Sequence, residues 1–187
     1  MTTLVTFSRR GRGALFLFGF VSLAVARADV ITLVDHGKPA ATIVVGSNES
    51  DQALRAADEL RSFVERMSGA TLEIRRDTNT VAGTRIFIGK SNEARNVGIE
   101  LRSGFTKNMN EEGYVIRTGG DYLVLAGNEE GPYQGTLFAV YDLLERLGCR
   151  WFFPGPYGEI VPKRETVAIE AIAVTERPDF RFRNIWY

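Results

Sequence analysis

Carboxylates are the side chains of this sequence best placed to do chemistry. Two acids held roughly 5–10 Å apart can protonate a leaving group and activate a water across a glycosidic bond. Three places offer them: Glu111-Glu112, Glu129-Glu130 and Glu159. Consecutive residues of a regular strand face opposite sides of its sheet, so Glu111 and Glu112 cannot act on one substrate. Glu129-Glu130 precedes a helix start, where negative charge is stabilised for structural reasons. Solvated surface is the expected role of both pairs, and no catalytic residue is assigned.

Other motifs fail on spacing. Gly89-Lys90-Ser91 resembles the end of a phosphate-binding loop, but Gly83 lies one residue too far upstream. Thr84 to Ile88 reads as a strand where a flexible cradle is needed. His36 is the sole histidine and falls in turn chemistry, Asp35-His-Gly-Lys-Pro39. A zinc site built on paired histidines is therefore excluded, and a Ser-His-Asp triad would lack a nucleophile elbow. No metal and no cofactor are expected. Cys149, the single cysteine, cannot form an internal disulfide and reads as a small buried apolar residue. Asn48-Glu49-Ser50 fits an N-glycosylation acceptor, while Ser50 doubles as a helix cap.

The elements that would position these residues follow from periodicity. Val30–Val34 and Ala41–Val45 read as strands about the turn that holds His36. Ser50 opens a helix in which Leu54, Ala57, Leu60, Val64 and Met67 recur every three or four residues, widened by Phe63, and Gly69 stops it. Thr71–Ile74 and Thr84–Ile88 are further strands, and Ile86-Phe87-Ile88 suggests burial on both faces. Ser91–Asn96 forms a short helix. Gly119-Gly120-Asp121 joins Gly113–Thr118 to Tyr122–Ala126 as a hairpin. Gly131-Pro132 opens a second long helix with proline in its first turn. Leu137, Phe138, Val140, Tyr141, Leu143, Leu144 and Leu147 form its buried side, and Gly148 ends it. Trp151-Phe152-Phe153 then reads as a buried strand closing the core, with a platform for stacking sugar rings or a contact with a further domain as the alternatives. The expected class is α+β, a mixed or mostly antiparallel sheet with two main helices packed on one face.

Arg9, Arg10 and Arg12 precede an apolar run from Ala14 to Ala26, and Ala26-Arg27-Ala28 fits a small-x-small cleavage site. Residues 1–28 thus read as a secretory signal peptide, cleaved after Ala28, too short to span a bilayer comfortably. Gly11-Arg12-Gly13 after the arginine pair argues against twin-arginine export, and no cysteine stands near the cleavage site for lipid anchoring. The whole chain has 23 basic and 23 acidic residues, but the leader removes four arginines and no acid, leaving a net charge of −4. An exported, mildly acidic product is a poor partner for nucleic acid or anionic lipid. The expected location is secreted or periplasmic, with no membrane association after cleavage.

The densest pattern runs from Gly131 through Pro-Tyr-Gln-Gly-Thr-Leu-Phe-Ala-Val-Tyr-Asp-Leu-Leu-Glu-Arg-Leu-Gly-Cys-Arg-Trp-Phe-Phe-Pro154, followed by Gly158-Glu159, Val161-Pro162 and Arg177-Pro-Asp-Phe-Arg-Phe-Arg183. This resembles the non-catalytic N-terminal domain that precedes the barrel in bacterial β-N-acetylhexosaminidases and α-glucuronidases. The resemblance implies a brace, residues 29–176, against a following (β/α)8 barrel. Residues 177–187 would be the linker and first barrel strand. The catalytic acids would belong to that barrel, which needs about 250 residues beyond those here. It also implies one substrate contact, Arg183 after Pro178-Asp179-Phe180, whose guanidinium offers a fixed fork of donors to hydroxyls or a carboxylate. Asn184 stands where the family has glycine, and Arg181 and Arg183 read equally well as alternate surface charges of a strand.

The function expected is that of an exported accessory domain of a glycoside hydrolase, α-glucuronidase- or hexosaminidase-like, in glycan breakdown such as that of xylan. Carbohydrate would be reached through the barrel. The alternative is a free-standing secreted module that binds carbohydrate or protein.

Overall fold

The computed structural model describes residues 30–76, 81–96, 98–99 and 112–177. The leader (1–28), Glu111 and residues 178–187, including Arg183, lie outside the described residues.

Alternation in the strands builds two apolar faces on one sheet. Ile43, Val45, Ile86, Ile88, Ile116, Leu123 and Leu125 belong to one buried cluster, while Val44, Phe87, Val115, Val124 and Ala126 belong to another. The strands are β1 (Val30–Asp35), β2 (Lys38–Pro39), β3 (Ala41–Val45), β4 (Glu73–Arg76), β5 (Thr84–Ile88), β6 (Tyr114–Gly119), β7 (Tyr122–Gly127), β8 (Arg150–Trp151), β9 (Glu159–Ile160), β10 (Val167–Glu170) and β11 (Ala173–Glu176). The helices are α1 (Asp51–Ser68), α2 (Asn92–Asn96) and α3 (Gly135–Arg146). Six strands form the main sheet in the order β11-β6-β7-β5-β3-β4. β4, β3, β5 and β7 run parallel; β6 runs antiparallel to β7, and β11, antiparallel to β6, returns to the common direction. β10, β1 and β2 make a second sheet, and β8 pairs with β9. This is the expected α+β class with a mixed sheet.

α1 and α3 pack side by side on the first face, their Ala57, Leu60, Val64, Leu137, Val140 and Leu144 joining one cluster with the strands. Ala94 of α2 and Ile99 cover part of the other face. α1 starts where Ser50 accepts from the Ala53 amide at 3.1 Å and ends at Gly69, left-handed at φ +78°. Both ends fall where the sequence sets them. Ser91 likewise accepts from the Ala94 amide at 3.1 Å and starts α2.

Three expectations are corrected. α3 begins at Gly135, not at Gly131-Pro132. Gly131 turns the chain at φ +66°, and the Gly135 amide closes the loop onto the Asn128 carbonyl at 2.8 Å, so helical bonding starts only after it. β4 starts at Glu73 instead of Thr71, because Ser68, Gly69 and Ala70 form a capped turn that extends the exit from α1. β10 and β11 were not anticipated. Each has only four residues, and each is held by distant partners, β1 and β6.

Candidate functional site

In open sheets with parallel strands, ligands bind beyond the carboxyl ends of those strands. Here β3, β5 and β7 end together in Gly46-Ser-Asn-Glu-Ser50, Gly89-Lys-Ser91 and Asn128-Glu-Glu130. Motifs remote in sequence therefore meet at one edge. The edge is already filled by the protein's own carboxylates. Glu129 accepts from the hydroxyls of both Ser50 and Thr136, so one side chain serves the N-termini of α1 and α3. Thr136, wholly buried, accepts in turn from the Gly127 amide at 2.9 Å. Lys90 lies 3.6 Å from Glu130. A Cβ on Gly89 would meet a carboxylate oxygen of Glu49 at 2.6 Å, as would one on Gly46. The space a phosphate would take above Gly89-Lys90-Ser91 holds Glu49 instead. Helix N-termini favour an anion, and these two have internal ones.

The remaining candidates are dispersed. His36 sits in the β1–β2 turn at φ +46°, its Nδ1 2.6 Å from Asp35 and its side chain 80% exposed. Cys149 is buried, and burial pushes its thiol above the ordinary value despite nearby Arg66, Arg150 and Arg164. Glu159 pairs with Arg66 at 2.6 Å. Glu112 lies in a turn before β6, not in a strand, and lines a groove of about 480 Å³ with Tyr114, Asp142, Glu145, Arg146 and Glu176. No group of three His, Cys, Asp or Glu among the described residues could hold a metal, and no described helix is long and apolar enough to cross a membrane.

In that groove the Tyr114 hydroxyl donates to Asp142 at 3.1 Å, and Arg146 clamps the same carboxylate at 2.7 Å. Burial first, then the Asp142 charge and hydrogen bond, raise the phenol well above its ordinary value. A raised folded-state pKa contributes stability that is complete below the unfolded value, near 10, and is lost as pH rises beyond it. Alkaline titration followed by circular dichroism is therefore expected to show stability falling from about pH 10 upward. Tyr114→Phe should flatten that limb; an unchanged limb would mean that Tyr114 does not control it.

Trp151, Phe152 and Phe153 divide. Trp151 packs as expected, edge-on against Phe63 at 5.3 Å and Tyr141 at 5.2 Å. Phe152 and Phe153 do not close the core: they are 70% and 58% exposed. β8 ends at Trp151 because the Phe152 amide turns back onto the Gly158 carbonyl at 2.9 Å and Pro154-Gly-Pro156 cannot extend a ladder. Tyr157 at 94% and Ile160 at 51% are also exposed on the β8–β9 hairpin. Arg66 pairs with Glu159 of the hairpin, and Gly158 passes so near the Phe153 carbonyl that a Cβ would collide with it. The helix-to-aromatic pattern that singled out this segment contained no sign of which rings point outward.

Residues 31–143 match the model of the Glycosyl hydrolase family 67 N-terminus. The chain belongs to this family. The family 67 N-terminal segment thus takes in β1 to β7, α1, α2 and most of α3, and stops before the aromatic hairpin. Its fold is also that of a solved family GH115 4-O-methyl-α-glucuronidase with specificity for decorated arabinogalactans, at 21% identity and a TM-score of 0.55. That match covers 79% of this chain and 18% of that one, so this chain spans under a fifth of its structural relative. A solved GH138 enzyme targeting pectin rhamnogalacturonan II matches 57% of this chain and 10% of that one, at 16% identity and a TM-score of 0.39. No curated protein matches the chain. The hexosaminidase half of the resemblance gains no support from these matches; the glycoside-hydrolase N-terminal domain does.

Proposed function

We propose that this chain is the non-catalytic N-terminal domain of an exported glycoside hydrolase of the α-glucuronidase type, acting in the breakdown of polysaccharide such as xylan. The family match over residues 31–143 carries the reading. The fate of the acids supports it: Glu129 ties two helix starts, Glu159 holds Arg66, and Glu130 faces Lys90. The role is that of a brace, residues 29–176, with residues 177–187 leading into a barrel whose acids do the hydrolysis. Arg183 is the one substrate contact proposed in this chain.

Two measurements test this on the chain as it is made. The exported protein should begin at Asp29, read by N-terminal sequencing, and should not hydrolyse aryl α-glucuronides or aryl β-N-acetylglucosaminides. Turnover by the purified chain would overturn the non-catalytic role, and retention of residues 1–28 would overturn cleavage after Ala28. A second reading, a free-standing binding module, is favoured by the exposed rings of Phe152, Phe153 and Tyr157. The coding sequence beyond codon 187 separates the two: an open frame into repeated strands and helices supports the brace, a stop supports the module.

A further inference from the structure

On α3, Phe138, Tyr141, Asp142 and Glu145 recur at the spacing that sets residues on one side of a helix. All four line the groove that Tyr114 and Glu176 border from β6 and β11. Its volume of about 480 Å³ lies within the roughly 300–1,000 Å³ of ordinary small-molecule sites. We propose that this groove holds a neutral sugar unit of a polysaccharide. The brace reading gives residues 29–176 no contact with carbohydrate, so the site goes beyond it and stands whether or not a barrel follows.

The lining selects that ligand. Phe138 and Tyr141 are half-buried, so each ring still offers apolar surface on which the C–H face of a sugar ring can stack. The polar groups around them are of both kinds. Glu112, Asp142, Glu145 and Glu176 only accept hydrogen bonds when ionised, while Arg146 and Arg177 only donate them. A hydroxyl does both, so a sugar can answer either kind with the same group. An ammonium or guanidinium only donates and leaves the arginines unanswered. A uronate carboxylate meets four carboxylates against two arginines and is repelled. Part of the lining is fixed before any ligand arrives. Tyr114 donates to one oxygen of Asp142 at 3.1 Å, and Arg146 Nε donates to the other at 2.7 Å. Asp142 takes up only part of the Arg146 guanidinium, which keeps N–H groups for a ligand. Groups held in place this way lose little freedom on binding.

Saturation-transfer NMR on the purified full chain tests the site, with xylohexaose and galactohexaose as neutral probes and glucuronic acid and pentalysine as charged ones. The expected result is saturable binding of at least one neutral oligosaccharide, unchanged from low salt to ~0.5 M NaCl because no ion pair with the ligand is there to be screened. Phe138→Ala should weaken it about 5-fold, as loss of one stacked ring does. Glu145→Ala, at an exposed position of the same stripe, should weaken it by a similar factor at unchanged Tm, so the test survives if the Phe138 variant fails to fold. Phe152→Ser, on the β8–β9 hairpin, should leave binding as it was. Three results would each overturn the site: no binding of either oligosaccharide, tighter binding of glucuronic acid or pentalysine, or binding that the hairpin variant removes and the groove variants keep. None of them touches the accessory-domain reading, which the aryl glycoside assay and the coding sequence test separately.

Discussion

Gly127→Ala is expected to destabilise the domain by about 3 kcal/mol or more, lowering Tm by roughly 10 °C. A Cβ at this position would meet the Gly135 Cα and the Thr136 nitrogen, each at 2.6 Å. From the other side, a Cβ on Gly135 would meet the Asn128 nitrogen and the Gly113 carbonyl at the same distance. The contact is main chain on main chain, where the last residue of β7 meets the first residue of α3. No rotamer change relieves it; the helix must move off the strand. Because α3 also supplies Leu137, Val140 and Leu144 to the core, such a shift opens the packing beneath. Gly120→Ala is the control. Nothing lies within 4 Å of its Cβ position and its φ is not positive, so a change within ~0.5 kcal/mol is expected. Thermal melts of the two variants decide the matter, and equal melting points would refute the close-approach argument.

Glu129→Ala is the second large effect, about 2–3 kcal/mol in denaturant unfolding. Ser50 and Thr136 both donate to this carboxylate, and charged hydrogen bonds exceed neutral ones in strength. Its removal also takes negative charge from two helix N-termini at once. Ser50→Ala alone should cost about 1 kcal/mol as an ordinary lost cap. In the double variant the two losses should fall short of their sum, because one bond is counted in both. Strict additivity would mean that Glu129 and Ser50 do not act together. Glu129→Gln should fall between, since an amide offers one acceptor oxygen where the carboxylate has two.

Much of the fold was legible because its signals are local. Ser50, Gly69 and the three-to-four spacing of α1 report on a few neighbouring residues, and Ile86-Phe87-Ile88 announced a strand buried on both sides. What depends on distant partners was not legible. Glu129 reads as a helix-proximal acid; its bond to Ser50, 79 residues away, exists only because β3 and β7 end at one sheet edge. β10 and β11 become strands through β1 and β6, whose registers no local period encodes. Phe152 and Phe153 read as inward because they are apolar and lie between an amphipathic helix and Pro154-Gly155-Pro156. That criterion cannot tell a ring that fills a core from one that waits for a partner. The family 67 match spans residues 31–143 and leaves out the pattern around Trp151, where the sequence motif is densest.

The pairing of β1 with β10 has a consequence for the order of assembly. Val30 lies opposite Glu170, and the turn after β1 is tied to the same late segment through the Gly37 amide on the Glu165 carbonyl. Apart from the two-residue β2 at its end, the first strand of the domain therefore has no strand partner until nearly all of the domain has been synthesised. Contacts so far apart in sequence slow folding and leave early strands open to wrong pairings. Nascent chains halted before residue 167 should stay protease-sensitive at β1, and those extended past residue 170 should become resistant in one step. Closure of this sheet is thus a late event, set by the arrival of β10 rather than by β1 itself.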